Sequence, residues 1–152
     1  MILEPIIREG ETYPLARDLS EAAAKGYWFS PAHSVRLACD ERSGDVLGTY
    51  YLKANAGGGG RHVCNCGYAV SPVARGHGVA RRMCEDSQER ARAQGFRAMQ
   101  FNFVVATNTA AVYLWTSCGF ATVGRLPGAF FSPSVADYVD AIVMFKTLTT
   151  SA

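Results

Sequence analysis

The sequence predicts an α/β (α+β) fold, a mixed sheet of six to seven strands with helices on both faces. Three observations carry this expectation. Short β-rich runs come early in the chain, strands alternate with helical stripes from His62 onward, and glycines stand where those helices should stop. A chain of 152 residues that is 49% hydrophobic buries about two-thirds of its unfolded surface. No internal repeat or change of composition divides it, so one domain over 1–152 is expected.

Taken in order, Ile2 to Arg8 is apolar and β-branched enough for a first strand, with Pro5 putting it at an edge or interrupting it. Thr12 to Ala24 repeats Leu15, Leu19, Ala22 and Ala23 at helical spacing and should end at Gly26. Ser34 to Asp40 and Val46 to Lys53 form a hairpin about the turn residues 41–45. The glycine run in Asn55 to Gly60 lacks a following Gly-Lys-Ser/Thr, so it reads as a hairpin tip and not as a phosphate loop. His62 to Val70 is a central strand stopped by Ser71-Pro72. Residues 80, 83, 84, 87 and 91 make the apolar stripe of a helix from Val79 to Gln94, with Gly95 beyond it. Arg97 to Val105 is a strand, Asn108 to Cys118 a helix capped by Thr107 or Asn108, and Phe120 to Arg125 and Asp137 to Leu148 the last strands.

The most informative stretch is Arg75-Gly76-His77-Gly78-Val79-Ala80, between a strand and a long helix. Two glycines one residue apart let the backbone turn with its amides inward, and the helix adds unpaired N–H groups and the positive end of its dipole. Arg75 adds a fixed cation, so the loop suits an anion.

With V-x-P-x-x-R-G-x-G-x-A at 70–80, the helix and strand that follow, Asn108, Ala111 and Gly119-Phe120, the stretch from Val46 to Lys146 resembles the GNAT superfamily of N-acetyltransferases. The resemblance implies a sheet splayed between the strands at 62–70 and 97–105, with acetyl-CoA as cosubstrate in the opening. The backbone of Tyr68, Ala69 and Val70 would pair with the pantetheine arm, and the amides of Arg75, Gly76, His77, Gly78, Val79 and Ala80 would hold the pyrophosphate. The runs about Asn65, Asn102 and Asn108, and Gly124 to Phe130 with Tyr138 to Ala141, are similar to the fungal acetyltransferases of azetidine-2-carboxylate. By that resemblance Asn65 and Asn102 hold the acceptor at the thioester, Asn108 contacts CoA, and the protein is a homodimer. A carboxamide accepts from an amine and donates to a carboxylate without adding charge.

The chain also departs from the superfamily. Trp115 stands where relatives carry a tyrosine acid, and it belongs to an apolar stripe with Ala111, Leu114 and Cys118, so it should be packed. Tyr113 lies about 200° round the helix from it, which makes it a poor substitute. A thiol of pKa about 8.5 leaves tolerably as thiolate without an acid. Strand parity puts His62, Cys64, Cys66 and Tyr68 opposite Val63, Asn65 and Gly67, and the thiols read as buried and not as metal ligands or nucleophiles. No metal is expected. Among Tyr27, Trp28, Phe29, Phe130, Phe131 and Tyr138, one or two should wall an acceptor pocket.

A formal net charge of +2 argues against nucleic-acid and membrane partners, and arginines 75, 81, 82, 90, 92 and 97 are mixed with Glu85, Asp86 and Glu89. Five cysteines with no C-x-x-C spacing, no apolar stretch of membrane length and no leader-like start fit a soluble cytoplasmic protein. The reading is a small-molecule N-acetyltransferase, with a proline analogue or another amino acid as acceptor and direct attack on the thioester. The alternatives are a protein N-terminal or lysine acetyltransferase and a non-catalytic CoA-binding sensor.

Overall fold

The computed structural model describes residues 2–149. The helices are α1 Leu3–Glu9, α2 Glu21–Trp28, α3 Val79–Ala93 and α4 Thr109–Ser117. The strands are β1 Ser34–Cys39, β2 Val46–Ala54, β3 Val63–Val70, β4 Ala98–Val105, β5 Ala121–Ser132 and β6 Asp137–Thr147. They form one six-stranded sheet in the order β1-β2-β3-β4-β6-β5. Only β3 and β4 run parallel, joined by α3 as crossover; the other pairs are antiparallel.

Side chains alternate across the sheet and build two cores. Tyr50, Leu52, Cys64, Cys66, Met99 and Phe101 meet Met83, Cys84 and Ala91 of α3 and Trp115 of α4 on one face. On the other, Tyr51 and Ala69 pack with Ile6 of α1 and Trp28 of α2. Helices therefore cover both faces, as expected.

The expected first strand is instead helix α1. Pro5 sits in its first turn, where its missing N–H has no intrahelical use, and Gly10 at φ 71° closes it as a left-handed cap. The expected helix over Thr12 to Ala24 shrinks to α2. Residues 11–20 form an irregular connection held by the Arg8 guanidinium on the carbonyls of Arg17 and Leu19, and by Arg17 Nε on Arg8 O at 2.8 Å. Ser20 starts α2 by accepting from the Ala23 amide at 3.2 Å, and Gly26 lies inside that helix without ending it. Tertiary hydrogen bonds thus decide a segment whose apolar spacing alone favoured helix. Strand β5 also runs on to Ser132, past the expected end at Arg125, with register breaks between Thr122 and Gly124 and between Leu126 and Phe130. These let a strand carrying Gly124, Pro127 and Gly128 stay paired to β6.

Candidate functional site

The parallel pairing of β3 and β4 lasts only two rungs, Val63 with Ala98 and Cys64 with Met99. Beyond them the strands part, and the Asn65 side-chain amide bridges the fork to Gln100 O at 2.9 Å. Ser71 N–H donates to Leu47 O and Asn55 N–H to Val63 O, so odd-numbered residues of β3 spend their backbone on β2. By the alternation of an antiparallel ladder, Cys66, Tyr68 and Val70 turn theirs toward the opening. The Tyr13 hydroxyl, from the connection between α1 and α2, already donates to Tyr68 O at 2.6 Å.

At the end of β3 the chain makes one 3-10 turn and enters α3 through Gly76 and Gly78, with φ of 80° and 76°. Side chains rarely adopt that conformation, and a Cβ on either glycine would meet no atom within 4 Å, so a ligand has room there. The amides of Arg75 and His77 are occupied by Pro72 O and Ala74 O, both at 3.4 Å. Those of Gly76, Gly78, Val79 and Ala80 have no carbonyl partner among the described residues, and the first bond into α3 is Arg82 N–H to Gly78 O at 3.1 Å. Arg75 is exposed and meets Glu9 Oε2 at 3.5 Å. The loop opens on a cleft of about 840 Å³ walled also by Val70, Arg81 and Tyr113.

A second cavity, of about 230 Å³, lies on the far side of the fork. Tyr68, Asn108, Ala111 and Trp115 belong to the walls of both spaces and mark their junction. Asn65 and Asn102 both line the smaller cavity. Asn65 is buried and its amide nitrogen is spent on the fork, while no hydrogen bond reaches its oxygen among the described residues. Asn102 is exposed on the stretch of β4 where register with β6 breaks. Gln100 donates to its oxygen at 2.8 Å, and its nitrogen donates to Asn55 at 2.7 Å. Asn108 caps α4 by accepting from the Ala111 amide at 3.1 Å.

Of the six aromatic candidates, one or two of which should wall the pocket, Tyr27 lines this cavity. Trp28 is core, Phe130 is buried near Phe103, and Phe29 is exposed; Phe131 and Tyr138 are exposed and pack on each other at the β5–β6 end. Sequence reasoning missed Tyr13, Tyr51 and Lys53. The Tyr51 ring lies across Gly67, where an added Cβ would stand 2.5 Å from it. Tyr27 and Tyr51 share a hydrogen bond at 3.2 Å, and His33 stacks on Tyr51 at 4.3 Å. Alternation along β2 puts Tyr51 and Lys53 on one face, but only the register, Tyr51 opposite Gly67 and Lys53 opposite Asn65, brings that face to the fork.

Trp115 is packed as expected, its ring 4.8 Å from Tyr68 and 5.1 Å from Phe101, and Tyr113 is 76% exposed. The Tyr68 hydroxyl faces away from the opening and bonds Ser87 Oγ at 2.7 Å, and burial pushes its pKa well up. Burial likewise pushes the Cys64 and Cys84 thiols up to about 12 and the Cys66 thiol well above its ordinary range, which keeps them protonated and unreactive at neutral pH. Among the described residues no carboxylate lines the smaller cavity. The chemistry available is therefore anion binding by main-chain amides and placement of an acceptor by carboxamides.

The family model described as "Acetyltransferase (GNAT) family" matches residues 4–120. N-acetyltransferase aca1 of Schizosaccharomyces pombe is 30% identical over 90% of this chain and 72% of its own length. A GCN5-related N-acetyltransferase from Kribbella flavida is 39% identical, with a TM-score of 0.89 over 95% of this chain and 87% of that one. A phosphinothricin acetyltransferase from Sinorhizobium meliloti, solved with AcCoA, shares the fold at 22% identity, with a TM-score of 0.83 over 99% and 84% of the two chains. With its forked sheet and amide-lined loop, the chain belongs to the GNAT family of N-acetyltransferases.

Proposed function

We propose that the protein moves an acetyl group from acetyl-CoA to the amine of a small molecule, with a proline analogue or another amino acid as the acceptor class, by direct attack on the thioester. The observation that carries this reading is the junction of two spaces at the fork: a large cleft ending on the amides of 76 and 78–80, and a cavity of about 230 Å³ walled by Asn65 and Asn102. The cleft suits a long donor that ends in a diphosphate, since the open space at Gly76 and Gly78 admits phosphate oxygens to unpaired amides. The smaller cavity, of about 230 Å³, suits a compact amine.

Within that reading Arg75 exchanges Glu9 for phosphate, and backbone N–H groups of β3 beyond the fork face the acyl carbonyl. Asn65 accepts from the attacking amine through its free oxygen, and Asn102 is held in place by Gln100 and Asn55. With Trp115 packed and no acid among the described residues at the junction, the sulfur departs as thiolate, its pKa of about 8.5 requiring no donor, and the proton lost by the acylated nitrogen passes to solvent. Orientation and main-chain dipoles then supply most of the rate. The test is release of free thiol from acetyl-CoA across a panel of amines and cyclic amino acids, with the acetylated product identified by mass. Thiol release with one or more small amines supports the reading; tight acetyl-CoA binding with no release from any of them overturns it.

A further inference from the structure

Among the described residues the acceptor cavity holds one charged side chain, Lys53, on a wall otherwise made of aromatic, carboxamide, aliphatic and small residues. Lys53 is half-buried on β2, with its ammonium 5.8 Å from the centre of the Tyr51 ring. None of the ion pairs among the described residues includes it. A half-buried cation that faces a ring and has no ion-pair partner among the described residues still gains from an anion.

Its position relative to the site is fixed by the sheet. Lys53 and Asn65 are direct partners in the β2–β3 ladder and share a face, as a hydrogen-bonded pair with α-carbons about 5.5 Å apart. Side chains that start from one rung of the ladder can thus serve the amine, at the Asn65 oxygen, and an anion, at the Lys53 ammonium, of the same small molecule. The same wall offers no carboxylate to a second ammonium group, so a polyamine or a lysine side chain would bring positive charge beside Lys53 with nothing to offset it.

We propose that Lys53 recognises a carboxylate on the acceptor and so determines specificity, restricting the substrates to small amines that carry a carboxylate close to the nitrogen. This rests on the acceptor reading of the cavity given above. Lys53 does two things in this role. It neutralises the carboxylate that would otherwise stabilise the neighbouring ammonium, and its own charge disfavours that ammonium; both lower the amine's pKa and raise the share of attacking free base.

The experiment uses L-azetidine-2-carboxylate and its methyl ester, matched in ring and amine, with wild type, Lys53→Gln and Lys53→Arg. The expected result is that wild type prefers the free carboxylate and that Lys53→Gln raises its KM about tenfold, the size of one charge-assisted contact. Lys53→Arg should keep most of the preference, the loss in Lys53→Gln should be several-fold smaller for the ester than for the acid, and acetyl-CoA affinity should not change. The acid limb of the kcat profile for the carboxylate substrate, which reports the bound amine, should also move to higher pH in Lys53→Gln, which loss of a merely structural contact would not produce. Equal losses on acid and ester, or a wild type indifferent to the carboxylate, overturn the assignment while leaving small-amine transfer intact. If neither probe releases thiol, transfer to this class of acceptor fails separately. Equilibrium binding of the two probes to the acetyl-CoA-loaded protein then decides Lys53: a preference for the acid that is lost in Lys53→Gln sustains it, and no preference refutes it.

Discussion

Gly67 shows how one residue sets the shape of the acceptor cavity. The Tyr51 ring occupies the space where a side chain at 67 would stand, with ring atoms 2.5 to 2.8 Å from an added Cβ. A ring held by Tyr27 and His33 cannot yield cheaply, so Gly67→Ala should cost about 1–3 kcal/mol as overpacking. Urea denaturation measures this, and a change below about 0.5 kcal/mol would show that Tyr51 moves freely. The two asparagines make a different prediction. Asn65→Ala and Asn102→Ala should each lower turnover on any active acceptor on the order of tenfold, the worth of one well-placed hydrogen bond, with acetyl-CoA affinity kept. Equal activity in Asn102→Ala would reduce that residue to a tie between Gln100 and Asn55.

At the scale of the element, the start of α3 combines strain and function. Gly78 is its N-cap at φ 76° and no side chain caps the helix, so the four amides of 76 and 78–80 are left for a ligand. Gly78→Val forces a β-branched residue into the left-handed region at about 1–2 kcal/mol and fills the space before those amides. Acetyl-CoA affinity by calorimetric titration should fall at least tenfold; an unchanged value would detach the loop from the donor. Helix α4 is capped differently, by the Asn108 side chain on Ala111 N–H, and Asn108→Ala should cost about 1 kcal/mol of stability through the cap alone. A loss of acetyl-CoA affinity in the same variant would show that the residue serves the donor as well.

Across the whole molecule, the connection between α1 and α2 ties the two halves of the forked sheet together. Glu9 meets Arg75 on the β3 side, Tyr13 bonds Tyr68 O, and Glu11 accepts from Ser132 Oγ at 2.8 Å and Ser134 N–H at 2.7 Å on the β5–β6 side. The core beneath is rich in thiols, and this gives the fold a pH signature. Burial raises Cys64 and Cys84 from 9.0 to about 12. Between those limits the unfolded chain has lost protons that the native state keeps, so stability falls as pH rises. The urea midpoint should hold steady from pH 6 to 8 and decline from about pH 9 upward; a midpoint that rises across that range would contradict burial of these thiols.

The sequence by itself determined the parts whose chemistry is local. β-rich runs bounded by turn residues placed β1 to β4, small residues at helical spacing placed α3, and the Arg75-Gly76-x-Gly78 run marked a main-chain anion loop because positive φ before a helix requires glycine. Trp115 was legible as packed from its own apolar stripe. Only the tertiary structure decided the rest. Residues 11–20 turned irregular because Arg8, Arg17 and Ser20 find partners far along the chain or at a new helix start, which apolar spacing does not encode. The acceptor wall of Tyr13, Tyr51 and Lys53 was invisible for the same reason: a strand's period tells which residues share a face, while register and the forking of β3 from β4 choose what that face looks upon.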